Sequence, residues 1–271
     1  MSSTADGVQA SLFPDTGVSV IYEQPLNERI RNCLRLEHLF VSIESGIAEG
    51  SPERARDTIT SMLDVCDFLL RTDIKGELIK ELERNSAQFS ALRSNPSVSQ
   101  DALDRTLSDI GDVLGELKKP DYQPGSALRA DELVAQIKQR INIPGGTCSF
   151  DVPAFHHWLN SNTHHRAETL KAWMKDLRVV ERATRTILAL IRDSSHPRVV
   201  TATAGVYQEQ FDSNVQHQLV RVILPRDIAA FPEISGGKHR FTIRFCRQDK
   251  TSSRPVQIEE DVNFELRCCG I

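Results

Sequence analysis

The stretch of this chain that decides its fold is Lys238–Phe245, which reads Lys-His-Arg-Phe-Thr-Ile-Arg-Phe. Successive side chains of a β-strand point to opposite faces. A strand here therefore places Lys238, Arg240 and Arg244 on one face. The large apolar side chains share the other face: Phe241, Ile243 and Phe245. The apolar face predicts contact with a core, and the basic face is either a solvated surface or a binding surface.

Basic residues are concentrated around this strand, although the chain as a whole is acidic. Residues 238–254 contain six Lys or Arg and one acid, Asp249, whereas the formal net charge of the 271-residue chain is -4. Residues 198–271 hold ten basic and nine acidic residues, a net charge of +1, which leaves -5 for residues 1–197. This overall acidity argues against a general nucleic-acid binder.

The spacing of the two arginines fits an extended acidic peptide. Arg240 and Arg244 lie four residues apart, a rise of ~13 Å along a strand. The planar guanidinium group forms paired hydrogen bonds with carboxylates. Single-stranded RNA is the alternative ligand, because the strand faintly resembles an RNP1 sequence. It lacks the glycine of that motif, and its aromatic residues face the expected core.

The C-terminal part of the chain has the alternation of antiparallel strands. The same pattern appears far upstream at Val18–Tyr22, which can pair with the C-terminal strands. Gly236-Gly237-Lys238 does not have the spacing of a phosphate-binding loop, and we interpret it as the hairpin turn before the basic strand. The other strand candidates are Val199–Thr203, Leu219–Leu224 and Val262–Leu266.

From about Gln24 to Asp193 the apolar residues recur at helical spacing, which predicts a bundle. Ser51-Pro52 begins a second helix, and Asp73 can cap a third. The longest helix is predicted from His165 to Asp193. Its apolar stripe fits either a bundle core or a dimer seam.

The sequence thus predicts an α+β protein: an N-terminal helical bundle followed by an antiparallel β-sheet that the N-terminal strand can join. We expect a disordered leader at residues 1–17, a mainly helical domain at 18–193 and a β-rich domain at 198–269. Six scattered cysteines without CxxC spacing favour reduced thiols over disulfides.

Several function classes are disfavoured. The longest aliphatic run, Ile187–Ile191, is far shorter than a membrane span, and residues 1–8 have no signal-peptide pattern. His156-His157 and His164-His165 do not have the spacing of a metal site on one helix. No serine lies in a nucleophile-elbow sequence. We expect no enzymatic activity, no cofactor, no metal, and no nucleic-acid or membrane partner.

Several long blocks, in the same order, resemble the ZapD family of bacterial cell-division proteins. The resemblance covers about Val20–Cys269, apart from the loop at 118–128. The blocks that carry it are Tyr22–Arg31, Leu34–Glu37, Glu77–Leu82, Ile143–Asp151, Phe231–Lys238, Arg240–Phe245 and Phe264–Cys269.

The resemblance implies a cytoplasmic, non-enzymatic homodimer that acts at mid-cell in septation. Such a protein binds the C-terminal tail of the tubulin-like protein FtsZ in a basic pocket. It bundles FtsZ protofilaments, promotes assembly of the division ring and lowers FtsZ GTPase activity.

The resemblance also implies which residues contact the tail. Arg240 and Arg244 match the basic strand of the family, to which Lys238 belongs. Arg71 matches an arginine of the helical domain, although a three-residue insertion precedes it. Glu132 departs from the family, because some relatives carry arginine there. Two further positions match residues implicated in the contact: Arg35 and His156.

Overall fold

The computed structural model describes residues 19–71, 73–212, 215–237 and 239–270. The leader expected at 1–17 and the basic residue Lys238 lie outside these ranges. The chain forms two compact units. The helical unit is Asn32–Leu188, and the β unit takes the chain up to Arg31 and from Ala189 onward.

Amphipathic helices make up the N-terminal region, as their apolar spacing predicts. The unit boundaries fall within the first and the last of these helices. A short 3-10 turn follows the third. The bounds are α1 Glu28–Glu49, α2 Pro52–Arg71, α3 Ile74–Ala91, α4 Gln100–Leu117, α5 Ser126–Ala130, α6 Glu132–Arg140, α7 Pro153–Leu159, α8 Thr163–Met174 and α9 Arg178–Asp193.

The predicted helix starts at Ser51 and Asp73 are confirmed by their capping hydrogen bonds. Ser51 Oγ accepts from the Arg54 amide at 3.2 Å, and Pro52 is the first residue of α2. Asp73 Oδ1 accepts from the Gly76 amide at 3.0 Å. These side chains satisfy amide groups that have no partner inside the helix.

The single helix predicted from His165 to Asp193 is wrong, because the chain turns between α8 and α9. Asp176 lies in this turn. Its carboxylate accepts from the Ala127 amide at 2.8 Å, and its carbonyl accepts from the Tyr122 hydroxyl at 2.7 Å. The loop before α5 and the first turn of α5 therefore form hydrogen bonds with the turn between α8 and α9. Helical periodicity does not reveal such long-range contacts.

The apolar stripe of α8 and α9 belongs to a buried core and is not an exposed seam. Trp173 is 6% exposed, and its indole donates to Asp131 at 2.9 Å. Thr184, the polar member of the stripe, donates to the Val180 carbonyl at 2.8 Å. The other members are fully buried: Leu170, Leu177, Val180, Leu188 and Ile191.

Two antiparallel sheets form the β unit. Sheet A has the strand order β1-β4-β8-β2, and sheet B has the order β3-β6-β5, with β7 also paired to β6. The strands are β1 Ser19–Pro25, β2 Arg198–Ala202, β3 Val206–Gln210, β4 His217–Pro225, β5 Phe231–Gly236, β6 Arg240–Arg247, β7 Val256–Gln257 and β8 Val262–Gly270.

The prediction that an N-terminal strand joins the C-terminal sheet is confirmed. β1 pairs with β4 from Ser19 opposite Pro225 to Pro25 opposite Leu219. Glu23 of β1 also forms ion pairs with two largely buried arginines, Arg192 at 2.7 Å and Arg221 at 2.8 Å. These contacts fix β1 at the edge of sheet A.

The two sheets share one apolar core in the β unit. Phe264 of sheet A packs on Phe245 of sheet B, with ring centroids 5.1 Å apart. Phe241 stacks on Phe211 at 4.9 Å. The fully buried core residues also include Ala202, Val220, Val222, Ile243 and Leu266.

The burial of His217 predicts that the stability of the β unit depends on pH. Its ring stacks on Phe211 at 4.6 Å, and burial lowers the pKa of the imidazole below its ordinary value. The unfolded chain then binds a proton more readily than the folded one, so stability is lost as pH falls below about 6.5. We expect the urea midpoint to drop between pH 7.5 and 5.5, and to drop less in His217→Gln.

The matched control for this prediction is His157→Gln, which changes an exposed histidine of α7. That variant should lose as much stability on acidification as the unmodified protein. An equal loss in His217→Gln would show that His217 does not contribute.

Candidate functional site

Strand β6 has the two-faced character that its sequence predicts. Arg240 and Arg244 are exposed, whereas Phe241, Ile243 and Phe245 are completely buried. A slip of one residue in register would exchange the two faces and expose three large apolar side chains. The aromatic core of the β unit therefore fixes the direction in which the arginines point.

The strands beside β6 continue its polar face. Thr242 lies opposite Gln208 on β3 and opposite Ser235 on β5. Residues directly opposite each other share a face of the sheet. These residues line an open groove of about 520 Å³, together with Gly236, Gly237, His239, Arg240 and Phe241.

The two arginines of this face differ in their partners. Across the described residues, the Arg240 guanidinium forms no hydrogen bond or ion pair. Arg244 donates to Glu233 Oε2 at 2.9 Å, and the two side chains are 57% and 45% exposed. Exposed ion pairs contribute at most ~1 kcal/mol, so water or another carboxylate readily replaces Glu233.

Glu233 also contacts the thiol of Cys246. Burial raises the pKa of this thiol, and the nearby Glu233 carboxylate raises it further, while Arg244 opposes the rise. The thiol therefore stays protonated at neutral pH. The groups around Glu233 provide hydrogen bonds and charge rather than a reactive thiolate.

A tight hairpin leads into β6 at the end of the groove, as predicted for Gly236-Gly237. The Gly237 amide donates to the Arg240 carbonyl at 3.0 Å. A Cβ atom on Gly236 would lie 2.7 Å from Leu26 Cδ2, so a larger residue would force this side chain to move. Lys238, also predicted as a site residue, lies outside the described residues.

The other predicted site residues belong to the helical unit. Arg71 is the last residue of α2, and Arg35 is on α1. His156 is on α7, beside Phe155, whose ring contacts Arg56 near the start of α2. All three predicted residues are exposed. Arg56 and Arg71 are about 22 Å apart along α2, so His156 and Arg71 do not form one cluster.

Glu132, the predicted departure from the family, is exposed in the first turn of α6. Its carboxylate accepts from Gln136 at 3.3 Å. A carboxylate in the first turn interacts favourably with the helix dipole. This provides a local structural role for the glutamate.

Sequence reasoning missed two residues of the groove, Gln208 and Ser235, and the ion-pair partner of Arg244, Glu233. They lie on β3 and β5, two short strands that the alternation of apolar residues did not reveal. Pro232 is unusual inside a strand, although it is tolerated at an edge position such as β5. The available signal was the Gly-Gly turn, which predicts a partner strand immediately before it.

Three features of the described residues concern metal, membrane and RNA binding. In them, no group of three or more His, Cys, Asp and Glu side chains is arranged to hold a metal ion. No helix within the described ranges is long and apolar enough to cross a membrane. Phe241 and Phe245 are buried, so β6 has no exposed aromatic ring on which an RNA base could stack.

Comparisons with known proteins identify the family to which the chain belongs. The model of the ZapD family, described as "Cell division protein", matches residues 34–244. A "Cell division protein ZapD" of Ralstonia pickettii is 36% identical over 252 residues, which cover 93% of this chain and 99% of the relative. The protein of that name from Methylococcus capsulatus is 37% identical over 250 residues, 92% of this chain and 98% of the relative.

A third relative, the "Cell division protein ZapD" of Nitrosomonas europaea, is 35% identical over 252 residues, with 93% of this chain and 95% of the relative covered. An α+β chain with matches of this extent is a bacterial cell-division protein. It belongs to the ZapD family. The family name describes a role in division and names no reaction.

Proposed function

We propose that this protein binds the C-terminal tail of FtsZ on the outer face of sheet B. The observation that carries the proposal is Arg240: an exposed guanidinium, without an ion pair to any described residue, beside a polar groove. The opposite face of the strand is locked in an aromatic core. The core therefore holds the basic face in a fixed position, and the guanidinium group of Arg240 remains available to a ligand.

The expected affinity follows from a small number of charge-assisted hydrogen bonds. Each contributes ~1.5–3 kcal/mol, and ordering a flexible tail offsets part of the gain. Two or three such bonds contribute ~3–9 kcal/mol before this offset, and a micromolar complex requires ~8 kcal/mol, so we expect a dissociation constant that is micromolar or weaker. Because the arginines are exposed, salt should weaken the complex.

A peptide titration tests this proposal. A fluorescein-labelled peptide of the FtsZ tail should increase in anisotropy with added protein, with an affinity that falls as salt is raised. A peptide of the same composition in scrambled order is the control for general charge attraction. Equal binding of the two peptides, or no binding of the tail, would refute the proposal.

We also propose contacts at Arg71, Arg35 and His156 of the helical unit, and Lys238, which follows Gly237 in the sequence, is a further candidate. These assignments rest on the family resemblance. Reversal of the charge of Arg71 should weaken tail binding. The same change at Arg93, an exposed arginine paired with Asp104 at 3.2 Å, provides the control.

We further propose that the protein is a homodimer in the cytoplasm whose two sites bridge neighbouring FtsZ protofilaments at mid-cell. The second site binds more readily once the first is occupied, because its local concentration is high. Bundling of this kind requires no catalysis and no cofactor. It promotes assembly of the division ring and lowers FtsZ GTPase activity.

Bivalent bridging predicts a bell-shaped dependence of bundling on concentration. Light scattering by FtsZ polymers should rise as the protein is added and then fall at large excess. At excess, each dimer occupies one tail only, because every neighbouring tail is already bound. A monomeric variant should still bind tail peptide but fail to bundle.

The control for bridging is FtsZ without its tail, which should give no increase in scattering at any concentration. A scattering signal that rises to a plateau and never declines would argue against simple two-site bridging.

A further inference from the structure

The pairing register of sheet B places a carboxylate directly on one of the two arginines. Glu233 of β5 lies opposite Arg244 of β6. Their side chains form an ion pair of 2.9 Å on the outer face of the sheet. Both remain about half exposed, so the pair is open to competition by a carboxylate from solution.

Arg240 has a different environment on the same face. Its cross-strand neighbour on β3 is Gln210, which is uncharged. On the other side of β6, strand β5 ends at Gly236, which pairs with Phe241, so no residue of β5 pairs with Arg240. One arginine of the strand thus has an internal carboxylate, whereas the other has no ion pair among the described residues.

We propose that Glu233 is an internal competitor that occupies the Arg244 subsite until an acidic peptide displaces it. The inference rests on the proposed function, because it concerns the same peptide-binding face. Glu233 then sets the affinity of the site. The free protein has one open subsite, at Arg240, and one subsite that is filled by its own side chain.

The ligand that fits this arrangement is an extended acidic peptide with carboxylates four residues apart. Such groups are ~13 Å apart in an extended chain, which matches the spacing of Arg240 and Arg244. The carboxylate that reaches Arg240 forms a new ion pair. The carboxylate that reaches Arg244 replaces an existing one, and Glu233 returns to water.

The size of the effect follows from the exposure of the pair. Exposed ion pairs of this kind change an equilibrium constant by up to about fivefold. Removing the competitor should therefore tighten peptide binding by about two- to fivefold. It should also make binding more sensitive to salt. Both arginines then form new ion pairs with the peptide, and no ion pair with Glu233 has to be broken.

The experiment measures the affinity of the labelled FtsZ tail peptide for Glu233→Gln by fluorescence anisotropy. Glu259→Gln is the control, because it removes the same charge from an exposed position of the β unit. An Arg244→Gln background completes a double-mutant cycle. Circular dichroism spectra verify that each variant is folded.

We expect Glu233→Gln to bind about two- to fivefold more tightly than Glu259→Gln at low salt, and we expect this gain to vanish in the Arg244→Gln background. If the unmodified protein binds the peptide but Glu233→Gln and Glu259→Gln behave alike, the competitor role is overturned and the proposed function stands. If the unmodified protein does not bind the peptide at all, both proposals fail.

Discussion

We expect replacement of both Arg240 and Arg244 with glutamate to abolish co-sedimentation of the protein with FtsZ polymers. The change replaces two guanidinium groups with carboxylates, which repel an acidic tail and cannot donate hydrogen bonds to it. Loss of two charge-assisted bonds, each worth ~1.5–3 kcal/mol, takes a micromolar complex beyond detection. Both positions are exposed, so the fold is expected to persist.

The matched control reverses Arg226 and Arg254, two exposed arginines of the β unit that do not line the groove. This variant has the same net charge as the first. It should sediment with FtsZ nearly as well as the unmodified protein, apart from the effect of overall charge. Undiminished co-sedimentation of the Arg240→Glu, Arg244→Glu variant, with an unchanged circular dichroism spectrum, would exclude this face as the binding site.

Truncating Phe264 to alanine should destabilise the β unit by about 3–5 kcal/mol. Its ring is completely buried and packs against Phe245 at 5.1 Å and Tyr207 at 5.6 Å. The substitution leaves a cavity between the two sheets in addition to the lost transfer free energy. Urea denaturation followed by circular dichroism measures the change in unfolding free energy.

Phe150 provides a matched control for this truncation. Its side chain is 82% exposed in the loop before α7, so Phe150→Ala should change stability by no more than about 0.5 kcal/mol. A cost for Phe264→Ala no larger than that for Phe150→Ala would contradict the shared core of the two sheets. A large cost would also predict weaker binding, because the core holds β6 in register.

The two-faced strand could be predicted from sequence because its information is local. Alternation over Arg240–Phe245 determines which side chains face the core, whatever their partners are. Helix starts at Ser51 and Asp73 were predictable for the same reason, because each cap bonds an amide three residues away. Features that depend only on a few neighbouring residues can be predicted from a single sequence.

The remaining features depend on contacts between distant residues. At the break between α8 and α9, Asp176 accepts hydrogen bonds from groups about 50 positions earlier in the chain. The ion pair of Glu233 with Arg244 depends on the register of two strands. Neither contact leaves a periodic signal, so the sequence alone did not reveal that one arginine is already paired.

The most direct test is NMR of 15N-labelled protein titrated with unlabelled FtsZ tail peptide. We expect the amide resonances of Gln208, Ser235 and Thr242, and the side-chain Nε resonance of Arg240, to shift and to saturate together. Resonances of the buried strand β8 should change little. If a saturating amount of peptide leaves the groove resonances in place while others shift, the tail binds elsewhere and the basic face of β6 is a solvated surface.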